Sequence, residues 1–455
     1  MIIFMPTKIR EFLTSKQELL QWQTKINRAL STKASVYLGN LTPVVAKFYS
    51  AKKASLLALA KRYPTPFYAF DKIELTTSAA DFKRAFAKYL PNCSYFYAVK
   101  TNWHPSILKT VVDCGFGLDV SSGRELSLGL KAKAKKMVFS GPGKTTADLL
   151  LALKHRHKVI VHLDSFGELE RLGKLSSLKK QTIVAGVRIY TRFHGSWSKF
   201  GIKLNDLSYF WKEAKKYPYL KLSGIQFHIS WNKDASTYEN VIKELAGYLK
   251  KNFSTSDLSD IKFIDFGGGF LPYRLTGDYP WGTAQGDLIK KAADHFDGEP
   301  KFNRGYYLTE SVTLPEYARG IAQAINRYLR PLINCRYFTE PGRIICNNSM
   351  HLVTRVVDIK DSNKIIMDSG VNAVGWEGLR YDYTPVINLS SFAKKEIPCY
   401  VFGSLCMADD VWSYSMYASK INSGDVTVIP NFGAYTFALS QEFIKGVPKV
   451  YPLKN

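Results

Sequence analysis

The sequence predicts an α/β protein. It reads as a (β/α)8, TIM-like barrel followed by a C-terminal β-barrel or sandwich domain, with an N-terminal helical extension. Three observations predict this. From about residue 95 to 340, short β-rich runs alternate with segments of helical spacing. After about 346, short strands follow one another with turn residues between them and little helical spacing. The first sixty or so residues instead carry two lysine-bearing amphipathic stretches. Strand–helix alternation is what a parallel sheet with outer helices leaves in a sequence, and strands separated only by turns point to an antiparallel β-domain.

Taken in order, the extension covers residues 1–64, with its amphipathic stretches at 8–30 and 44–61. The barrel unit is placed at 65–345. Its β-runs fall at 95–100, 116–120, 136–140, 158–163, 182–189, 220–229, 261–265 and 336–340. Between them, 147–155, 205–217 and 237–250 have helical spacing. Eight such runs suit one closed barrel. The segment 272–313 is loop-rich and aromatic, and too long for an ordinary barrel connection, which makes it a candidate lid or interface element. The β-domain is placed at 346–455, with room for one strand from the N-terminal side. Its strands are legible in HLVTRVVDI, NKIIMD, IPCYVFG and DVTVIP.

Composition narrows the function classes. The chain has 455 residues, 46% of them hydrophobic, enough for a large core. No run approaches the roughly 18 apolar residues of a membrane helix. The start, MIIFMPTKIR, lacks a preceding basic segment and a small-residue cleavage site, so no signal peptide is read there. The six cysteines are scattered and form no CxxC pair, which argues against a zinc or dithiol site and for free thiols in a reducing cytoplasm. Lys and Arg number 63 against 38 Asp and Glu, a formal charge of +25. The basic residues are spread along the chain with no dense basic tail. The expectation is therefore a solvated basic surface that attracts an anionic cofactor or substrate, rather than a nucleic-acid or membrane interface.

Chemistry in such a barrel sits where the strands end at the C-terminal face. Strand one ends in Lys100 and strand two at Asp119. Strand five ends near Arg188, strand six holds His228, and strand seven runs into Gly267, Gly268 and Gly269. Strand eight delivers Glu340, with Arg343 three residues on. Each type has a role if the ligand is pyridoxal 5′-phosphate. A buried lysine loses its proton readily and serves as a Schiff-base nucleophile. Glycines let backbone N–H groups approach a phosphate, and an arginine adds charge-assisted bonds. A carboxylate opposite the pyridine nitrogen keeps it protonated, and a histidine can stack on the ring.

At this point the sequence resembles the alanine-racemase-like pyridoxal-phosphate decarboxylases, the group holding ornithine and diaminopimelate decarboxylases. Tyr97-Ala98-Val99-Lys100 is similar to the cofactor-lysine motif of that family, and 116–126 to its second-strand motif. Ser140-Gly141-Pro142-Gly143-Lys144, Ser198-Lys199-Phe200-Gly201 and Phe227-His228-Ile229 resemble later family motifs. So do Asp265 to Phe270, Glu340-Pro341-Gly342-Arg343, Gly403-Ser404-Leu405-Cys406 and Gly433-Ala434-Tyr435-Thr436. The nine similarities run in family order over about residues 65–445.

The resemblance implies decarboxylation of an amino acid or amino-acid-like conjugate. Lys100 would carry the cofactor as a Schiff base, Glu340 would face its ring nitrogen, and Arg343 and Tyr435 would reach its phosphate. It also implies a head-to-tail homodimer in which Cys406 enters from the other subunit and protonates the carbanion left by CO2. The alternatives are an amino-acid racemase or other pyridoxal-phosphate reaction on the same fold, and a non-catalytic regulatory homologue. The joint presence of Lys100, His228, Glu340, Arg343 and Tyr435 argues against the last. Four departures bear on substrate. Met407 follows Cys406 where diamine and diaminopimelate enzymes carry an acid, although Asp410 suits the later acidic position. Trp231 replaces a serine three residues after the histidine, with Ser230 one place earlier. The stretch from the glycines to Glu340 is long. In 368–382, where the family binds the substrate carboxylate, Arg380, Tyr381 and Asp382 are the candidates. Loss of the acid at Met407 points away from short diamines and towards an enlarged or conjugated amino acid.

Overall fold

The structure, a computed structural model, describes residues 20, 21, 24, 40–195, 199–272, 277–279, 306–308, 311–375 and 382–454. Eight parallel strands form its centre: β2 (Cys93–Ala98), β3 (Gly117–Val120), β4 (Met137–Phe139), β5 (Val159–Leu163), β6 (Ile183–Tyr190), β8 (Leu220–Gln226), β9 (Phe263–Asp265) and β12 (Arg336–Thr339). They lie in the order β5-β4-β3-β2-β12-β9-β8-β6, and β5 also pairs with β6, which closes the ring. The short β7 (Ile202–Lys203) adds to the edge of β6. Helices such as Thr146–Lys154, Leu207–Ala214 and Ser236–Asn252 connect the strands, each burying one apolar stripe.

All eight expected strands are present, but several end earlier than their β-rich runs. Strand β2 stops at Ala98, whose N–H bonds Pro341 O, and Val99–Thr101 then turns as a 3-10 helix that carries Lys100. Strand β8 stops at Gln226, two residues before His228, and β12 at Thr339, one before Glu340. The chemistry-bearing residues thus sit just past the strand ends, where side chains turn over the barrel mouth.

Inside the barrel the alternation of strand side chains stacks residues in layers. Phe96, Val138, Phe263 and Phe338 form an apolar floor, with Ile160 and Val184 packed against it. Gly224 is required there, since a Cβ would lie 2.1 Å from the Phe263 ring. Two residues on, four positions are polar and buried: His162, Gln226 (two after Gly224), Asp265 and, just past β12, Glu340.

The second body is an eight-stranded sheet in the order β14-β17-β18-β16-β19-β13-β1-β20. It contains β1 (Phe67–Phe70), β13 (Met350–Lys360), β14 (Lys364–Met367), β16 (Ile387–Asn388), β17 (Glu396–Phe402), β18 (Val411–Tyr417), β19 (Val426–Ile429) and β20 (Lys449–Pro452). Strand β1 comes from the N-terminal side of the barrel and pairs antiparallel with β13 and parallel with β20. The helix Thr42–Arg62 packs on this domain, burying Val45, Leu56 and Leu59 in one cluster with Phe67, Val353 and Val428. Lys52 Nζ lies 2.6 Å from Asp71 Oδ2, and Asp71 caps the helix Lys72–Tyr89 through Glu74 N. The stretch 8–30 lies outside the described residues but for 20, 21 and 24. Of the 272–313 segment, β10 (Gly277–Asp278) and β11 (Tyr307–Leu308) form a small sheet with β15 (Asp382–Tyr383). That sheet ties the segment to the β-domain.

Candidate active site

A cavity of about 600 Å³ opens where the barrel mouth meets the β-domain. The barrel supplies Lys100, His228, Trp231, Gly269, Glu340 and Arg343 to its wall. The β-domain adds Thr384, Asn431, Tyr435 and Leu439. Two bonds fix the Lys100 turn to the β-domain: Tyr435 N donates to Thr101 O at 2.9 Å, and Asn102 Nδ2 to Gly433 O at 2.9 Å.

Lys100 Nζ lies 3.3 Å from Asp119 Oδ2. Asp119 is fully buried and also accepts a 2.5 Å hydrogen bond from Ser140 Oγ. Burial alone would weaken the lysine's hold on its proton, but Asp119, Tyr435 and Glu340 outweigh it and raise its pKa. Before any ligand arrives, Lys100 is therefore an ammonium held in place by Asp119.

His228 is neutral. Burial first, then Lys100 and Arg188, hold its pKa well below the ordinary imidazole range. Its Nδ1 accepts from Gly268 N at 3.1 Å, which leaves the proton on Nε2, 3.3 Å from Ser230 Oγ. Glu340 is buried, with Gln226 Nε2 at 3.4 Å from both its oxygens. Arg343 packs over two rings, 5.0 Å from Trp231 and 4.9 Å from Tyr435. Both aromatic residues adopt left-handed backbone, φ +63° and +57°. Arg188 does not line the cavity. It stacks on Phe200 at 4.4 Å and acts on Lys100, His228 and Glu340 by charge.

The glycine expectation needs correction. Gly267 N donates to Asp265 Oδ1 at 2.9 Å and Gly268 N to His228 Nδ1, so neither N–H is directed at the cavity. Of the three, Gly269 alone lines it. The glycines are needed for close packing: a Cβ on Gly268 would lie 2.1 Å from Glu340 O. Asp410 is corrected too. Its Oδ1 accepts from Val371 N at 2.8 Å and Oδ2 from Leu405 N at 2.7 Å, so it clamps the loop between β17 and β18 instead of facing a ligand. In that loop Cys406 is exposed, Met407 is half-buried, and neither lines the cavity of its own chain. Arg380 and Tyr381 lie outside the described residues. Sequence reading passed over Ser140 as the partner of Asp119, and Gln226 and His162 in the polar layer. The strict two-residue alternation from the floor positions would have found the last two.

These residues fit pyridoxal phosphate. An amine, a buried carboxylate, a neutral imidazole and an arginine packed on two rings surround a cavity large enough for the molecule. They would serve its aldehyde, ring nitrogen, ring face and phosphate respectively.

Residues 77–347 match the model of the pyridoxal binding domain of pyridoxal-dependent decarboxylases. The chain is 25% identical over 406 residues to the diaminopimelate decarboxylase of Aquifex aeolicus, covering 86% of each chain. Among solved structures, the diaminopimelate decarboxylase of M. jannaschii matches with a TM-score of 0.72 at 21% identity, covering 87% of this chain and 88% of that one. The diaminopimelate decarboxylase of Helicobacter pylori, solved with L-lysine, gives 0.69 at 24%, covering 87% and 93%.

Proposed function

This chain belongs to the pyridoxal-dependent decarboxylases, and from that premise we propose that it releases the α-carboxyl group of an amino-acid substrate as CO2, with Lys100 holding the cofactor and Cys406 of a second copy returning the proton. The observation that carries the reading is the convergence of Lys100, His228, Glu340, Arg343 and Tyr435 on one cavity. When bound, pyridoxal phosphate supplies the aldehyde that takes up an amine and the electron sink for the bond that breaks.

The chain's own residues do the rest. Asp119 keeps Lys100 in place and takes part in moving its proton, since the pair is 3.3 Å apart. Glu340, buried beside Gln226 with Lys100 and Arg188 opposing the cost of that burial, is the carboxyl group placed to favour a protonated ring nitrogen. Neutral His228 offers an uncharged face for stacking, and Arg343 neutralises phosphate charge. An apolar part of the wall, formed by Val374, Phe432 and Leu439, disfavours a carboxylate set against it and favours its loss as a neutral gas. Cys406 lies exposed on a clamped loop, the disposition expected of a group delivered to a neighbour's site in a homodimer.

For the substrate, relatives act on or bind diaminopimelate and L-lysine. Here Glu340 is the one acid among the cavity-lining residues described, and it serves the cofactor. With Met407 in the Cys406 loop, an enlarged or conjugated amino acid is the better match than a short diamine precursor. The test is CO2 release from ornithine, lysine, arginine, meso-diaminopimelate and conjugated analogues, with Lys100→Ala as control. Release that vanishes in the variant is expected. Brisk turnover of ornithine or lysine would reject the substrate reading, and release that persists in the variant would reject the role of Lys100.

A further inference from the structure

The polar layer above the barrel floor holds three titratable groups, of which the reading above uses only Glu340. His162 lies between two carboxyl groups, its Nε2 3.9 Å from Asp265 Oδ2 and its Nδ1 3.7 Å from Glu340 Oε1. All three side chains are at most 2% exposed. Neither ring nitrogen of His162 has a hydrogen-bond partner at these separations, and neither does Asp265 Oδ2.

Counting protons decides how such a trio can exist. A neutral imidazole presents one N–H and one bare nitrogen. Two ionised carboxylates on either side would leave the bare nitrogen against an anion, with no hydrogen between them and no water to help. A single protonated carboxyl removes the conflict. Its O–H faces the bare nitrogen, and the ring N–H faces the other, ionised carboxylate.

The surroundings decide which acid keeps the proton. Lys100, Asp119, Arg188 and His228 stand on the cavity side, and Lys144, with Glu168 and Asp164, stands beside His162. Lys144 Nζ is 2.7 Å from His162 O and 2.9 Å from Glu168 Oε1. Burial pushes the Glu340 carboxyl up, but Lys100, Arg188, the neighbouring Asp265 carboxyl and the Gln226 amide all oppose that rise. Asp265 receives one backbone N–H, from Gly267, and faces the charge of Glu340. Burial and then Glu340 push the Asp265 carboxyl well above its usual range. His162 itself is held neutral, its pKa at about 3, by burial and then by Lys144 and Arg188.

We propose that Asp265 is kept as the neutral acid and donates to His162 Nε2, that His162 donates from Nδ1 to Glu340, and that this chain leaves Glu340 as the single anion facing the cofactor site. Asp265 and His162 are then positioning residues that act through Glu340. The link to the cofactor rests on the reading above, but the proton pattern itself does not. A divalent cation would also suit three atoms that lie within 4.8 Å of one another. It would, however, add two positive charges beside Lys144 and Arg188, which already oppose a charge on His162.

The test is infrared difference spectroscopy on the full-length holoenzyme, wild type minus Asp265→Asn. The expected result is loss of the C=O stretch of a protonated carboxylic acid. Loss of a carboxylate stretch instead would overturn the proposal, and so would one equivalent of tightly bound metal in the purified protein. Asparagine mimics the neutral acid, so Asp265→Asn is expected to keep the pH midpoint of the bound-cofactor absorbance. His162→Phe removes the donor to Glu340 and is expected to move that midpoint by about one unit, tenfold in proton affinity. An unmoved midpoint in His162→Phe would overturn the role of His162. Should that variant fail to fold, the infrared difference decides alone. None of these readouts needs turnover, so they stand apart from the choice of substrate and from the decarboxylase reading.

Discussion

Trp231 is the residue at which backbone, charge and cofactor chemistry meet. A bulky side chain at φ +63° is strained, yet Trp231 is 67% exposed and gains little burial in return. The neighbouring Asn232 holds the turn, donating from Nδ2 to Ile229 O at 2.7 Å and from its backbone N to Gly269 O at 2.9 Å. What the strained conformation achieves is a ring against Arg343. Trp231→Gly should relieve about 1 kcal/mol of strain but weaken pyridoxal phosphate binding roughly three- to fivefold through the lost cation–π contact. Absorbance titration of the apoenzyme measures this, and pyridoxal, which lacks the phosphate, should bind the variant unchanged. A second residue-scale prediction concerns His351, 2% exposed and accepting from Asn431 N at 3.2 Å. Burial lowers its pKa from 6.5 to about 4. The unfolded chain then binds a proton that the folded chain refuses, so stability falls as pH drops from 6.5 towards 4 and levels off below. Relative to His351→Asn, the wild type should lose about 1.4 kcal/mol per pH unit in that window. Urea denaturation of both proteins at pH 7 and pH 5 checks the slope.

At the scale of elements, the loop between β17 and β18, which carries the exposed Cys406, is tied down by Asp410. Asp410, at its far end, accepts from Leu405 N within the loop and from Val371 N of the 371–373 turn outside it, and Gly403 is close enough that a Cβ would sit 2.2 Å from Asp410 Oδ2. Asp410→Ala leaves two buried N–H groups without partners and should destabilise the protein by roughly 2–4 kcal/mol. Chemical denaturation measures the loss, and decarboxylation should fall with it because the loop no longer holds Cys406 in one place. Element boundaries also explain why the barrel mouth is so rich in function. The β2, β8 and β12 ladders all end one or two residues before Lys100, His228 and Glu340. These side chains stand just past the strand ends on a rigid ring, where Asp119, Gly268 N and Gln226 set their orientations at the barrel mouth.

At the scale of the whole molecule, the cavity is a junction. The barrel supplies the groups suited to the cofactor, and the β-domain closes the wall with Tyr435, Asn431 and Leu439. Strand β1 runs from the N-terminal side into the β-domain, so the two bodies are joined at both ends of the barrel, and the helix Thr42–Arg62 is pinned near that joint by the Lys52–Asp71 pair. No helix among the described residues is long and apolar enough to cross a membrane. If Cys406 serves a neighbouring copy, Lys100→Ala and Cys406→Ala should each be inactive alone. Mixed, they should regain about a quarter of wild-type activity by random exchange of subunits in a twofold dimer. Mixed subunits that stay inactive, shown by tagged pull-down to have exchanged, would show that Cys406 does not serve the neighbouring copy's site.

The sequence by itself determined the fold class, the eight strands and the pyridoxal-phosphate chemistry. These are local or ordered signals: β-rich runs at barrel spacing, a lysine and a Glu/Arg pair at strand ends, and motifs in a fixed order. It also made His228 and Tyr435 legible, because each lies in a short recognisable run. Only the tertiary structure decided what depends on residues far apart in the chain. It engaged the Gly267 and Gly268 N–H groups with Asp265 and His228, turned Asp410 into a clamp, and set the Trp231 and Tyr435 rings against Arg343. It also brought His162, Asp265 and Glu340, spread over nearly 180 positions, into one buried layer. The physical reason is that a side chain's charge state and orientation are fixed by what surrounds it in space. In a closed barrel those surroundings come from strands that the sequence keeps apart.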